Sequence, residues 1–133
     1  MLDGDTVEVF RDNRPVRIRL NGIDCPEKAQ SFGMKAKELT SSLCFGKTVT
    51  VNDLGKDRYG RVIGELTVNG QDVNQEIVRN GLAWWYRKYA PHDRVLEKLE
   101  VEAKQEKRGL WKDENPTPPW DFRHSKKSKT RNF

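Results

Sequence analysis

The sequence predicts an α+β domain built on an antiparallel sheet. Segments that alternate apolar and polar residues dominate its first half, and segments with helical spacing dominate its second half. Turn-forming residues separate these segments, and no internal repeat is present. Strands that come mostly before helices are typical of the α+β class, in which helices cover one face or end of the sheet.

The first two predicted elements are strands. Thr6–Phe10 alternates, the turn-forming residues Asp12-Asn13-Arg14-Pro15 follow, and Val16–Ile23 alternates again. The second strand directs its aliphatic residues inward and Arg19 outward. We therefore expect Arg19 on the face opposite the main apolar side, an orientation that suits a groove.

The later elements follow from hydrophobic spacing and glycine stops. They are a helix through Phe32, Ala36, Leu39 and Leu43, strands over Lys47–Asn52 and Arg61–Val68, a short helix through Val73, Ile77 and Val78, and a longer helix over His92–Arg108. This order is compatible with a small Greek-key barrel of the OB type. Composition alone does not distinguish that barrel from other antiparallel sheets.

Length and composition indicate one domain with a small core. The chain has 133 residues, of which 35% are hydrophobic and 34% charged. We expect the folded domain over residues 1–115 and a proline-containing, then basic, flexible tail over residues 116–133. No apolar run approaches the ~20 residues that span a bilayer, and residues 1–10 read as a strand rather than a signal peptide. No membrane association is expected.

The positive net charge comes from the end of the chain. The whole sequence has 25 basic and 20 acidic residues, and residues 122–133 contain five of the basic ones and no acid. The five are Arg123, Lys126, Lys127, Lys129 and Arg131. The body is thus formally neutral, so nucleic-acid binding must depend on where individual charges lie. The basic tail is compatible with polyanion binding and equally with a solubilising disordered end.

The two cysteines do not indicate a zinc site. Cys25 and Cys44 are far in sequence from the two histidines, His92 and His124. Cys44 is expected on the apolar face of a helix and Cys25 in a loop, so a disulfide between them is disfavoured, although the sequence does not exclude it.

Three carboxylates and two arginines form the chemical centre of the sequence. Asp24 and Glu27 follow the Arg19 strand in a loop stiffened by proline, Asp5 lies in an earlier acidic turn, and Arg61 begins a later strand. If Asp5 and Asp24 converge, their hard oxygen ligands suit Ca²⁺ or Mg²⁺. The two guanidinium groups suit the charge that develops on an attacked phosphodiester. Glu27 is then the candidate general base.

Each of these features has an ordinary structural explanation when taken alone. An Asp-Gly turn is common, and a single exposed arginine usually forms a weak surface ion pair. Two alternatives therefore stay open: a catalytically silent OB module that binds nucleic acid, and a structural calcium site on a protein-interaction domain. Among the aromatic residues, Tyr59 and Tyr89 are the better candidates for contact with bases, whereas Trp84 and Trp85 are expected to be structural.

Three motifs together resemble those of the staphylococcal nuclease family. They are Asp3-Gly4-Asp5-Thr6, Arg19 with Asp24-Cys25-Pro26-Glu27, and Asp57-Arg58-Tyr59-Gly60-Arg61. The resemblance covers about residues 2–112, and the combination is specific where each motif alone is not. It implies a five-stranded OB barrel with three helices. It also implies a Ca²⁺-dependent endonuclease that cleaves DNA and RNA to 3′-phosphate products.

The resemblance also implies a role for each matching residue. Asp5, Asp24 and the backbone carbonyl of Cys25 correspond to the calcium ligands, and Arg19 and Arg61 to the phosphate clamps. Glu27 corresponds to the general base, and Arg58, Tyr59 and Tyr89 are assigned to substrate binding. The family further implies a monomer that prefers single-stranded or frayed nucleic acid and is secreted or periplasmic. This sequence departs from the best-known member by Cys25 in place of threonine and by a shorter loop after Glu27.

Overall fold

The computed structural model describes residues 3–124 and contains one five-stranded sheet. Its strands are β1 (Thr6–Arg11), β2 (Arg14–Leu20), β4 (Thr50–Lys56), β5 (Val62–Val68) and β6 (Gln71–Asp72). The order across the sheet is β1-β2-β5-β4, and β6 pairs with β5. A second, two-stranded sheet joins β3 (Ile23–Asp24) to β7 (Trp84–Trp85).

Three α-helices lie between residues 33 and 105, and their combination with the sheet confirms the predicted α+β class. They are α1 (Gly33–Cys44), α2 (Val73–Arg79) and α3 (Arg94–Gln105), and a short 3₁₀ helix follows at Gly109–Lys112. The side chains of Asp72 and Asp93 accept hydrogen bonds from N–H groups in the first turns of α2 and α3, which are N-cap interactions. Within residues 3–124, no helix is both long and apolar enough to cross a membrane.

One strand pair differs from the antiparallel prediction. β2 and β5 pair in parallel, with Arg19 opposite Ile63 and Leu20 opposite Gly64. Parallel neighbours require a crossover connection, and here the connection contains β3, α1 and β4. Alternation within a strand does not reveal the direction of its partner, so the sequence pattern could not show this pairing.

The predicted boundaries are accurate to a few residues, with two instructive exceptions. The strand predicted to end at Ile23 is split, because Gly22 has a φ of 77° and turns the chain between β2 and β3. The strand predicted over Lys47–Asn52 instead runs from Thr50 to Lys56 and contains a register shift between Asp53 and Lys56. The first exception matters for the site, because the turn at Gly22 gives Asp24 its own short strand.

The main core lies between the sheet and the helices. It contains aliphatic residues of β2, β5 and α2, including Ile18, Leu20, Leu66 and Ile77, all almost completely buried. Trp84 and Trp85 are also buried, in agreement with their expected structural role. Both cysteines are free thiols, Cys25 buried and Cys44 partly exposed, so the disfavoured disulfide does not form.

Residues 117–124, here called the C-terminal segment, pack against the domain. The segment is helical over residues 119–124, and Pro119 is fully buried. The Trp120 ring stacks on Tyr86 with centroids 5.5 Å apart and an angle of 13° between the planes. The domain boundary at residue 115 stays a prediction, and the basic residues from Lys126 to Arg131 lie outside the described residues.

Gly33, the first residue of α1, controls the approach of the helix to the loop that contains Glu27. A Cβ atom at Gly33 would overlap the Glu27 carbonyl oxygen. We therefore expect Gly33→Ala to shift the Glu27 backbone and to lower the free energy of unfolding by about 2 kcal/mol or more, as overpacking does. Chemical denaturation measures this change.

Gly46→Ala is the matched control for this prediction. Gly46 has a φ of 71° and no atom within 4 Å of an added Cβ. The free energy of unfolding of this variant should therefore fall by about 1–2 kcal/mol, because of the left-handed backbone alone. An unfolding free energy for Gly33→Ala equal to or above that of Gly46→Ala contradicts the predicted overlap.

Candidate active site

Two buried aspartates share one arginine. The Nη2 atom of Arg19 lies 3.6 Å from Asp5 Oδ2 and 3.6 Å from Asp24 Oδ1. Asp24 is almost completely buried and Asp5 nearly so. The convergence of Asp5 and Asp24, on which the functional interpretation of the sequence depended, is thus present in the fold.

Strand pairing brings these three residues together. Thr6 of β1 lies opposite Arg19 of β2, and the Leu20 N–H donates to the Asp5 carbonyl over 2.8 Å. Asp24 belongs to β3 and pairs with Trp84 of β7. The buried carboxylate of Glu100 on α3 holds β7 in turn, because it accepts a 2.7 Å hydrogen bond from the Trp85 N–H.

The Asp5 carboxylate also organises the loop after β3. Its Oδ2 accepts a 2.8 Å hydrogen bond from the Cys25 N–H. The Cys25 thiol is buried, and burial followed by the negative charge of Asp5 raises its pKa well above the usual value. The side chain is therefore a neutral thiol packed inside the domain, so it is the backbone of Cys25 that contributes polar atoms here.

Removal of Asp24 from water has an electrostatic consequence. Burial raises the pKa of Asp24 to about 6; the hydrogen bond from Arg123 opposes this shift, the charge of Asp5 adds to it, and Arg19 opposes it. Two carboxylates that repel each other in a desolvated position are stabilised by nearby positive charge. The site is therefore one that favours a cation.

Arg123 of the C-terminal segment supplies such a charge. Its Nη2 lies 2.9 Å from Asp24 Oδ2, and its Nη1 lies 2.8 Å from Glu27 Oε1. From the sequence alone, Arg123 belongs only to the basic tail, and this contact is not predicted. One signal for this contact was available in the sequence. Arg123 follows Pro118, Pro119 and Trp120, which are apolar residues able to anchor the segment.

A second arginine cluster forms around Asp57. Asp57 Oδ1 accepts from the N–H groups of Tyr59 and Arg61, and its Oδ2 accepts a 2.7 Å hydrogen bond from Arg61 Nε. Arg58 donates to the Tyr59 hydroxyl over 2.7 Å. Asp57 thus fixes both the turn and the direction of the Arg61 side chain, a role that the sequence analysis did not assign.

An open cavity of about 530 Å³ extends from Arg19 to the turn that contains Asp57 and Arg61. Its lining contains both arginines predicted to bind phosphate and all three residues predicted to bind substrate: Arg19, Arg61, Arg58, Tyr59 and Tyr89. The Tyr59 and Tyr89 side chains are exposed, at 68% and 60%. Glu27 does not line this cavity; it lies at the carboxylate cluster with Arg123.

The residues present fit a hard divalent cation held partly by the protein. Carboxylate oxygens are the preferred ligands of Ca²⁺ and Mg²⁺, and Asp5 and Asp24 offer them beside desolvated negative charge. Among residues 3–124, no three His, Cys, Asp or Glu side chains are grouped to hold a metal. Two carboxylates, together with backbone oxygen and solvent, are therefore the donor set that this part of the chain offers.

Comparison with known proteins identifies one family. A family model described as staphylococcal nuclease homologue matches residues 17–113. An uncharacterized endonuclease of Escherichia coli is 50% identical over 127 residues, which cover 95% of this chain and 82% of that protein. A micrococcal nuclease of Shigella flexneri is 37% identical over 140 residues, covering 98% of this chain and 80% of that protein.

A plant relative shows how the shared region occurs in longer proteins. A staphylococcal-like nuclease of Arabidopsis thaliana is 40% identical over 111 residues, which cover 84% of this chain but 34% of that protein. The OB fold of the family agrees with the five-stranded sheet and the helices described above. The chain therefore belongs to the staphylococcal nuclease family and is a nuclease, a hydrolase of phosphodiester bonds.

Proposed function

We propose that the protein is a Ca²⁺-dependent endonuclease without sugar specificity, which hydrolyses DNA and RNA to 3′-phosphate products. The observation that carries this proposal is the double position of Arg19. It contacts the buried Asp5 and Asp24 carboxylates and also lines the cavity that contains Arg61. One guanidinium thus connects the candidate metal site with the candidate phosphate site.

In the proposed reaction, Ca²⁺ would be held by Asp5, Asp24 and the Cys25 carbonyl and would supply Lewis-acid stabilisation of the phosphate. Glu27 takes a proton from the attacking water, whose oxygen forms a bond to phosphorus. The 5′ P–O bond then breaks, which leaves a 3′-phosphate, and the departing 5′ oxygen takes a proton from solvent to become a 5′-hydroxyl. Arg19 and Arg61 donate hydrogen bonds to the phosphate oxygens as their negative charge increases in the transition state.

The cavity lining supports a substrate with accessible bases. Tyr59 and Tyr89 expose their rings beside Arg58 and Lys88, which lie within cation–π distance of them. Aromatic rings stack on bases of any sequence and are worth about 1–3 kcal/mol per base. Because bases paired within a duplex cannot reach such rings, we propose a preference for single-stranded or frayed DNA and RNA, bound by a monomer.

The proposed location is secreted or periplasmic, on the basis of the family alone. Cell fractionation followed by nuclease assay of each fraction tests it. Activity confined to the cytoplasmic fraction contradicts this part of the proposal and leaves the chemistry unaffected.

Glu27→Gln tests the proposed general base. We expect cleavage of single-stranded DNA in Ca²⁺ to fall by about 10²–10⁴-fold in kcat, the usual contribution of general base catalysis. Glu38→Gln, at an exposed position of α1, is the matched control and is expected to retain activity. The assay is gel-resolved cleavage with Ca²⁺ and with EDTA. Full activity in EDTA contradicts the metal dependence, and tight binding without cleavage in Ca²⁺ supports a silent binding module instead.

Asp57→Ala tests whether the direction of Arg61 matters. Loss of the acceptor that holds Arg61 Nε is expected to lower kcat about tenfold or more, since small misplacements of positioning groups are costly. Asp57→Asn keeps an oxygen for the Tyr59 and Arg61 N–H groups and should lose less. Asp53→Asn is the control, because within residues 3–124 the Asp53 side chain accepts a hydrogen bond only from the Gly55 N–H, in the irregular part of β4. Equal kcat values for Asp57→Ala and Asp53→Asn contradict the role.

The Asp57 contacts also predict a pH dependence. Removal from water raises the pKa of Asp57, but the N–H donors of Arg61 and Tyr59 together lower it below its usual value. A lowered folded-state pKa contributes stability above the unfolded-state pKa, and this stability is lost as the pH falls through the lowered value. Carboxyl NMR should therefore find Asp57 still ionised where ordinary aspartates are half protonated. A titration midpoint at or above the usual aspartate value contradicts the described contacts.

A further inference from the structure

We propose that Arg123 is an internal competitor of the divalent cation, so that its guanidinium closes the metal-free site and is displaced when the cation binds. This inference rests on the proposed function, because it assigns a regulation to the same carboxylates. It comes from one juxtaposition, a guanidinium of the C-terminal segment placed between Asp24 and Glu27.

The first support is the geometry of the guanidinium. Arg123 directs two nitrogens at two carboxylates, at 2.9 Å from Asp24 Oδ2 and 2.8 Å from Glu27 Oε1. Charge-assisted contacts of this length are among the stronger hydrogen bonds in proteins. Because Asp24 is almost completely buried, Arg123 occupies the accessible side of the carboxylate that a metal ion would need.

The second support is the charge balance of the cluster. Three carboxylates, those of Asp5, Asp24 and Glu27, face the two guanidinium groups of Arg19 and Arg123. This arrangement leaves one negative charge uncompensated. A divalent cation in place of Arg123 would balance all three carboxylates together with Arg19. The carboxylates therefore accept Arg123 as a cation but are better matched by a divalent ion.

The third support is that the segment has its own anchor, separate from the carboxylates. Pro119 is fully buried, and Trp120 stacks on Tyr86 and makes an edge contact with Trp84 at 5.5 Å. Aromatic pairs of this kind contribute beyond their buried area. The segment is thus held at the edge of the site even while the side chain of Arg123 exchanges with the cation.

The C-terminal segment is also linked to the loop that contains Glu27, the candidate base. Gln30 accepts a 2.9 Å hydrogen bond from the Glu27 N–H and donates one of 2.9 Å to the Thr117 carbonyl. The backbone of Glu27 and the start of the C-terminal segment are therefore joined through one side chain. While Arg123 is bound, the Oε1 atom of Glu27 is engaged by the guanidinium and is not available to a water molecule.

The test compares Arg123→Ala with the wild-type chain by calorimetric titration of Ca²⁺ and by thermal unfolding. A competitor that is bound nine-tenths of the time weakens apparent cation affinity about tenfold, so Arg123→Ala should bind Ca²⁺ about tenfold more tightly. It should also melt at a lower temperature than wild type in EDTA and at a similar temperature in saturating Ca²⁺. Arg123→Lys, with the charge but without the fork, should lie between the two.

Lys112→Ala is the matched control for charge. It removes one positive charge from an exposed position of the 3₁₀ helix and should leave Ca²⁺ affinity unchanged. Hydrogen exchange of the peptide containing residues 118–124 gives an independent readout. Exchange should accelerate in wild type when Ca²⁺ is added, because the segment then loses its contacts with Asp24 and Glu27 and keeps only the anchor at Pro119 and Trp120.

The outcomes separate the two proposals. Equal Ca²⁺ affinity in wild type and Arg123→Ala, together with Ca²⁺-dependent cleavage, overturns the competition and leaves the proposed function standing. Weaker binding by Arg123→Ala overturns it as well, and indicates that Arg123 supports the bound cation. Absence of Ca²⁺ binding and of metal-dependent cleavage in both proteins overturns both proposals. Tighter binding by Arg123→Ala with faster exchange of the segment in Ca²⁺ supports the competition.

Discussion

The site depends on the hydrogen bond from the Cys25 N–H to the Asp5 carboxylate. It joins residues 20 positions apart over 2.8 Å and fixes the loop after β3 to the beginning of β1. Strand pairing places Asp5 and Asp24 in two different sheets, because β3 belongs to the small sheet and β1 adjoins Asp5 in the large one, and this hydrogen bond links the two sheets at the site. The same carboxylate oxygen lies near Arg19, so a single group sets both the shape and the charge of the cluster.

The sequence was sufficient to predict the fold class and to single out Arg19, Asp5 and Asp24, but it left their convergence as a condition that the fold meets. Local signals determine these features: alternation identifies the strands, and the acidic turn and the proline-stiffened loop follow directly from residue types. Arg19 lies outside the apolar core, as expected. Its side chain is nevertheless only 13% exposed, and it lies against Asp5 and Asp24. Side-chain desolvation depends on neighbours distant in the chain, which alternation does not reveal.

Arg123 and Asp57 illustrate what the sequence alone could not provide. Arg123 stands 99 residues from Asp24, among basic residues that in isolation suit a solvated tail, and the packing of Pro119 and Trp120 holds its segment beside the carboxylates. Asp57 looks like an ordinary turn aspartate, and its hold on Arg61 requires knowledge of the side-chain direction. The parallel pairing of β2 with β5 was equally hidden. In each case the deciding contact joins elements whose relative placement only the packed structure defines.

The parallel pairing of β2 with β5 has a consequence for the order in which the domain assembles. Arg19 meets its strand partner Ile63 only after the intervening crossover has been made, and contacts between residues far apart in sequence form slowly. During translation, the residues of the carboxylate cluster leave the ribosome well before Arg123. A nascent chain therefore exposes Asp5, Asp24 and Glu27 before Arg123 has left the ribosome, so the contact that covers these carboxylates is among the last that the chain is able to form.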